Sequence, residues 1–342
     1  MRKVLHLPFN LASQIGIIND ALNDDMIYST SAFKSAQISE YTPDFELSGT
    51  KMVSIFRRIN CFIKTVGQFD VYLHHTGGSL LSNHLGHIDA RINVKIGKKC
   101  VPIFHGSELR RPSLEIETNP FYEVTYDEDD VKVLKTLEFW SSLSNDVVVC
   151  AASFLDYGLN QYFEHVHYIP IAIDLSKYSE VSSSKVLSSA KKKKVVHLPS
   201  HLQAKGTKYV RAAIKDLESD GLDFDYLELT GIPHSEVKKE LLKADLVIDQ
   251  MMLGDYGVLA LEAMALGKPV VGYIKPSILK HYSVELPIIN CNPNTLKSTL
   301  SDWLTNDSVQ YEKRGNASRR YVEKYHASDV ISTKYQDLLK SL

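Results

Sequence analysis

"DYGVLALEAMALGKPVV" occupies residues 255–271. A short apolar run from about Val258 to Leu266 has helical character. Gly267 stands where a helix ends, and Pro269 with the β-branched pair Val270–Val271 opens a strand. A helix that passes within three residues into a strand is the joint of an α/β fold. Glu262 sits in the middle of that helix. An ionised carboxylate among such neighbours costs several kcal/mol in desolvation unless it is paired or hydrogen-bonded. Its partner is either a base of the protein or the hydroxyls of a ligand lying near the strand ends.

Working outward, short β-branched runs alternate with helical patterns along the chain, which predicts parallel sheets. In the first half the expected strands are Lys3–Leu7, Met26–Tyr28, Asp70–His74, Cys100–Phe104, Asp146–Ala151 and Val166–Ile169. In the second half they are Val195–Leu198, Asp225–Leu229, Asp245–Asp249, Pro269–Ile274 and Pro287–Ile289. Between the first series, residues 51–66 place Met52, Phe56, Ile59 and Ile63 on one side of a helix. The stretch 174–194 is rich in serine and lysine and reads as a linker, with the lysines of 191–194 leading into a strand. The tail from Ser318 reads as two helices. The expected architecture is therefore two doubly wound α/β domains in series: residues 1–173, a linker at 174–194, and 195–320. A terminal helix at about 321–342 is expected to pack back on the first domain.

A chain of 342 residues suits about two domains at roughly 150 residues each. The net charge of −2 gives no reason to expect nucleic acid as a partner. Four cysteines lie far apart with no C-x-x-C spacing, so neither a zinc site nor a disulfide framework is indicated. The apolar run at the N-terminus breaks at Pro8, too soon for a signal peptide, and nothing approaches the eighteen apolar residues of a membrane span. A cytoplasmic protein is expected. Attachment at the inner face of a membrane remains open, because Lys51, Arg57, Arg58 and Lys64 form a basic side on helix 51–66. That side is either simply solvated or a contact for anionic lipid.

In doubly wound sheets, ligands meet the loops that follow the strands. After the first strand, Gly16 opens a helix and permits close backbone approach. There is no G-x-G-x-x-G, which counts against a dinucleotide-dependent dehydrogenase. The loop after Asp70–His74 carries His75, Gly77 and Gly78. Cys100–Phe104 runs into His105, Gly106 and Glu108, placing an imidazole at a strand's carboxyl end. Lys205–Gly206 precede Thr207, the expected N-cap of a helix. A cation at a helix N-terminus is electrostatically poor unless an anion such as phosphate lies between. Glu262 follows from the next loop of the same sheet, so a phosphate donor with a ribose would use both groups. Asp127 and Asp129 form a D-x-D, but as acids at the start of a helix they need no metal.

These residues resemble GT-B glycosyltransferases of the retaining, family-4-like kind (group 1). "HGSELR", "IPIAID", "SHLQAKGT", "YGVLALEAMALGKPVV" and the terminal "RRYVEKYH" fall in that family's order over most of the chain. The resemblance implies a nucleotide-diphosphate sugar as co-substrate, held mainly by the second domain. Lys205, beside Gly206, would contact the diphosphate; the amides of Gly257, Val258 and Leu259 would face it; Glu262 would hold the ribose. His105 matches the acceptor-side histidine near the transferred sugar. Gly16 would lie near diphosphate and acceptor, with His75, Gly77, Gly78 and Glu108 on the acceptor side. No metal and no further cofactor is implied. The acceptor would be a glycan or a lipid-linked one, in cell-surface polysaccharide or glycoconjugate synthesis. The sequence departs from the family's pattern in three places. The acid expected eight residues before Glu262 is Gly254, and either Asp255 next to it, the catalytic candidate, or Asp249 would replace it. Ser200, His201 and Leu202 stand where an arginine is usual, and Ile171 replaces an asparagine. A catalytically silent protein that binds sugar or a partner transferase is the alternative, and a sugar-nucleotide epimerase on the same fold is a third.

Overall fold

The computed structural model describes residues 1–23, 26–34, 41–81, 85–124, 129–179, 192–282, 284–305 and 308–342. The chain divides into two compact units. One comprises 1–111, 128–172 and 328–342; the other comprises 112–127 and 173–327. Relative to the expected boundaries, residues 112–127 group with the second unit. The final helix groups with the first.

The first unit contains β1 (Arg2–Leu7), α1 (Gln14–Leu22), β2 (Ile27–Phe33), β3 (Phe45–Glu46), α2 (Lys51–Thr65), β4 (Val71–His75), α3 (Ile88–Lys95) and β5 (Lys99–Phe104). After α4 (Pro112–Thr118), which belongs to the second unit, it resumes with α5 (Asp130–Ser141), β6 (Asp146–Val149) and β7 (His165–Tyr168). Its seven strands pair in the order β3-β2-β1-β4-β5-β6-β7, every pairing parallel. The edge strand β3 has only two residues and carried no alternation to predict it. Fully buried Val4, Val71, Leu73, Val101, Ile103 and Val148 form the middle of this core. Such continuous β-branched runs are what a parallel sheet covered on both faces requires.

The second unit contains β8 (Lys193–His197), α6 (Thr207–Ser219), β9 (Phe224–Glu228), α7 (His234–Lys243), β10 (Leu246–Ile248), α8 (Val258–Ala265), β11 (Val270–Gly272), β12 (Ile289–Asn290), α9 (Leu296–Thr305) and α10 (Ser308–Tyr325). Its five strands pair in the order β12-β11-β10-β8-β9, again all parallel. A Cβ on Gly315 of α10 would fall 2.1 Å from the carbonyl oxygen of Gly267, so the glycine allows that helix to lie on the turn after α8. The last helix, α11 (Ser328–Ser341), returns to the first unit, where Ile331 and Tyr335 join its core.

Several sequence expectations change in detail. Gly206, at φ +68°, takes the N-cap position of α6 and Thr207 is its first residue. Of the expected linker, 180–191 lie outside the described residues. Its start is a 3-10 turn, Leu175–Tyr178, that buries Tyr178. Lys193 and Lys194 belong to β8 rather than to a solvated lead-in, with Lys194 paired to Glu240. Asp127 lies outside the described residues, while Asp129 caps α5 by accepting from the Val131 amide. The helix over 51–65 forms as expected, but Ser54, Arg58, Cys61 and Thr65 face inward and the apolar stripe faces out.

Residues 112–127 are tied into the second unit by a buried ion pair. Glu115 Oε2 lies 2.7 Å from Lys275 Nζ, each residue about 98–99% buried. Removing one partner strands the other in a low-dielectric interior. Glu115→Gln is expected to lower the unfolding free energy in urea by about 3 kcal/mol or more. Adding Lys275→Met to it should recover much of that loss.

Candidate active site

Each sheet reverses its winding direction once. In the first, β1 leads outward to β2 and the chain then returns to lay β4 on the other side of β1. In the second, β8 leads to β9 and the chain returns to lay β10 on the other side of β8. The loops leaving the two strands on either side of such a reversal diverge, and a crevice opens between them at the carboxyl ends. The loops beside these reversals carry several residues singled out from the sequence, Lys205 after β8 and Gly77 and Gly78 after β4.

In the second unit, the loop after β8 brings Lys205 against the loop after β10. Lys205 Nζ donates to Gln250 Oε1 at 2.7 Å and lies 3.5 Å from Asp249 Oδ1. Asp249 Oδ2 accepts from the Gly257 amide at 2.7 Å, at the N-cap of α8. A Cβ on Gly257 would fall 2.6 Å from Lys205 Nζ, so only glycine lets the ammonium lie against this helix start. The anion that relieves the clash between cation and helix dipole is thus supplied by Asp249, which is 1% exposed. The sequence offered Asp249 only as a substitute for the acid missing at Gly254, and Gln250 was not assigned to the site. Their signal was position alone: the two residues directly after a buried strand at the reversal point.

Asp255 is also buried. Its Oδ1 accepts from Tyr282 Oη at 2.7 Å and from the Tyr256 amide at 2.8 Å. Gln250 Nε2 donates to the Asp255 carbonyl, which joins Asp255 to the Lys205 cluster. Gly254 has φ +72°, and a Cβ there would lie 3.0–3.1 Å from the Lys275 side chain. The acid usual at this place in the resembling family would be strained in backbone and crowded in space, so its role cannot pass to residue 254 without a shift.

Glu262 projects from α8 and is 6% exposed. Its Oε1 accepts from His234 Nε2 at 2.5 Å and from Tyr178 Oη at 3.1 Å. The acid in the apolar helix is therefore held by an imidazole from the start of α7 and a phenol from the 3-10 turn at Leu175–Tyr178. A carboxylate accepts up to about four hydrogen bonds, so two donors leave capacity for hydroxyls. Below the site, His197 Nδ1 donates to the Ile248 carbonyl at 2.9 Å, and its Nε2 meets the Thr207 hydroxyl at 3.0 Å. That ring pins the first turn of α6 to β10.

In the first unit, a cleft of about 370 Å³ lined by Pro8, Phe9, Asn10, Leu11, Lys34 and Thr76 opens at the β1–β4 reversal. Thr76 and Gly77 both have positive φ, and a Cβ on Gly78 would press on Phe9 and Pro8 at 2.7–3.2 Å. Gly16 serves packing here. A Cβ on it would fall 2.2 Å from the ring of Tyr41, so the room it leaves is filled by that ring. Glu108 turns back on the backbone, accepting from the amides of His105 and, at 3.1 Å, Gly106.

His75 and His105 belong to a chain of three buried rings. His6 Nδ1 lies 3.0 Å from His75 Nε2, and His75 Nδ1 lies 3.0 Å from His105 Nε2. A neutral imidazole carries one N–H, so both links must point the same way. His105 Nδ1 is then a donor if the chain runs from His6, or an acceptor if it runs toward His6. The terminal nitrogens, His6 Nε2 and His105 Nδ1, are buried without a hydrogen-bond partner among the described residues. Burial drives all three pKa values down, that of His6 to about 3, and the neighbouring rings add to the effect at His75. Adjacent His74, with Nδ1 2.9 Å from the Gly78 carbonyl oxygen, is likewise lowered by burial to about 4. Position in the sequence marked His75 and His105, but only pairing across β1, β4 and β5 could reveal His6.

Among the described residues no three histidine, cysteine or acidic side chains converge as a metal site would require.

No protein-family model and no curated protein sequence matches the chain. Solved structures do. Sucrose-phosphate synthase from Thermosynechococcus elongatus superposes with a TM-score of 0.63 at 12% identity, covering 100% of this chain and 99% of that one. HepE of Anabaena, in complex with UDP-glucose, gives 0.63 at 13% identity over 100% of both chains. A trehalose-6-phosphate synthase gives 0.62 at 11% identity, covering 100% of this chain and 99% of that one. At such identities the likeness establishes the fold, and the chain has the GT-B fold.

The buried histidines make stability depend on acid. An unfolded imidazole takes up a proton near its ordinary 6.5, whereas folded His6 does so only near 3. The unfolded state therefore binds more protons below pH 6.5. Stability is full above that value and falls as pH drops toward 3. Each such ring contributes a slope of about 1.4 kcal/mol per pH unit. Denaturant unfolding followed from about pH 7 to about pH 5 should show this decline, and His6→Asn should reduce the proton count by about one.

Proposed function

We propose that the protein is a glycosyltransferase that moves a sugar from a nucleoside-diphosphate donor to a glycan or lipid-linked acceptor, with retention at the anomeric carbon. One observation carries the reading. At the reversal point of a five-stranded parallel sheet, an ammonium, a glycine-opened helix start and a buried acid are packed within hydrogen-bonding reach of one another. A diphosphate entering there would meet Lys205 and the first-turn amides of Val258 and Leu259, which have no acceptor within their own helix. Glu262 would take the ribose hydroxyls while keeping His234 and Tyr178. Positive charge opposite the leaving diphosphate would come from Lys205 and the dipole of α8.

The chemistry is displacement of the nucleoside diphosphate through an oxocarbenium-like state. The C1–oxygen bond to phosphate breaks, the acceptor oxygen bonds to C1 on the same face, and the acceptor's hydroxyl proton passes to the departing phosphate oxygen. The protein stabilises charge on the leaving group and holds the acceptor hydroxyl on the same face of the sugar as that group. His105 would meet the transferred sugar through Nδ1, with its tautomer set by His75 and His6. Asp255 would serve the sugar in place of the acid absent at Gly254. His75, Gly77, Gly78 and Glu108 would shape the acceptor side.

A second reading is favoured by the self-sufficiency of the cluster. Lys205 and Glu262 are each satisfied by protein groups, and residue 254 is closed to an acid. A protein that binds the donor without turnover, alongside a partner transferase, fits that observation.

Thermal unfolding with a panel of UDP-, GDP- and ADP-sugars separates these outcomes. One donor should raise stability, by about 2.7 kcal/mol at a hundredfold excess over Kd. Lys205→Ala should weaken that donor about tenfold to a hundredfold with the fold retained, and Glu262→Gln should weaken it less. Stabilisation with sugar release supports the transferase; stabilisation without release supports the silent binder. No response to any nucleotide removes both.

A further inference from the structure

Helix α2 is inside out. The residues it turns to the protein are Ser54, Arg58, Cys61 and Thr65, all buried and mostly polar. Those it turns to solvent include Met52 at 76% exposure, Phe56 at 72%, Ile63 at 66% and Ile59 at 38%. These four follow one another at steps of four, three and four residues, so they form one narrow stripe along the helix. Folding into a water-facing position leaves this apolar area unburied, where a helix of a water-soluble domain normally presents charge.

The inward polar face is satisfied locally. Ser54 Oγ donates to the Leu47 carbonyl at 2.8 Å, and Thr65 Oγ1 to the Cys61 carbonyl at 2.8 Å. Arg58 donates to the Leu80 carbonyl at 3.0 Å, and its guanidinium stacks 5.6 Å from the ring centre of Phe9. Leu80 and Phe9 belong to the two loops that border the cleft at the β1–β4 reversal. The back of the helix thus holds the candidate acceptor-side loops while its front is bare.

The charges choose the occupant. The sequence of α2 contains no Asp or Glu. Lys51 lies on one flank of the stripe, and Arg57 and Lys64 lie on the other, all exposed. Just past the helix, Gly67 sits against Ile96, which is 51% exposed and adjoins exposed Lys95. A second copy of this chain seated on the same face would bring these cations against their own kind. A bilayer carrying anionic headgroups answers both features, because the stripe can enter the acyl boundary while the flanking ammonium and guanidinium groups meet phosphate.

We propose that α2 is a membrane-docking helix that lays Met52, Phe56, Ile59 and Ile63 into an anionic lipid surface. This does not rest on the reaction proposed above. Flotation of the full chain with vesicles of equal parts phosphatidylcholine and phosphatidylglycerol tests it, with phosphatidylcholine vesicles as the reference. Binding should appear with the anionic vesicles, fall with added salt, and be weak on the neutral ones. Phe56→Ser and Ile63→Ser should each lower binding about tenfold or more. Lys51→Gln with Lys64→Gln should lower it about twentyfold. All four side chains face solvent, so the thermal midpoint should hold, and a variant that loses both its midpoint and its binding is replaced by Met52→Ser at the other end of the stripe. The proposal is overturned by absence of flotation, by equal binding to both vesicles, or by serine variants that float like the parent. It is also overturned if sedimentation shows a concentration-dependent dimer that Phe56→Ser dissolves.

Discussion

The meeting of Lys205, Asp249 and the Gly257 amide is the interaction on which the candidate site of the second unit depends. An ammonium beside the start of a helix is repelled by the amides there, and the repulsion is removed only if an anion stands between them. Asp249 fills that place from the end of β10, bonded to the Gly257 amide and facing the ammonium. Gly257 leaves room for the ammonium where it lies, Gly206 takes a left-handed conformation directly after Lys205, and β8 lies beside β10.

Glu262 shows the same logic at lower cost. Its helix is almost wholly apolar, yet the carboxylate has two donors from elements far away in sequence. A buried acid supplied with donors by the fold itself is held at a defined rotamer before anything binds. Preorganisation of this kind lowers the reorganisation needed when hydroxyls or phosphates arrive. In the first unit the three-histidine chain does for direction what the Lys205 cluster does for charge. Because the rings are neutral and each has one proton to give, the state of His105 is set two rings along the chain, at His6.

Much of the architecture was legible in the sequence. Eleven of the twelve strands among the described residues lie within a few residues of where β-branched runs put them, because a buried parallel strand needs an uninterrupted apolar stretch and little else resembles one at that length. The exception, β3, spans two residues and has no periodicity to read. His75 and His105 were found because they stand at strand ends, Lys205 because it is a cation just before a helix start, and Glu262 because it is an acid inside an apolar helix. Gln250, His234, Tyr178 and His6 were not, and Asp249 was marked only as a substitute acid, since each acquires its importance from a partner between 28 and 84 residues away.

By itself, the sequence determined the class of fold, the order of its elements and the loops where polar groups gather, because these depend on local pattern and on spacing along the chain. Tertiary structure alone decided which groups meet: that Asp249 neutralises Lys205, that Glu262 is held by a histidine and a tyrosine, that Gly16 makes room for Tyr41, and that α2 shows its apolar side to solvent. Periodicity reports that a helix has two faces. Which of them is turned inward is settled by what the neighbouring loops can bury, and here they bury an arginine that holds them in place.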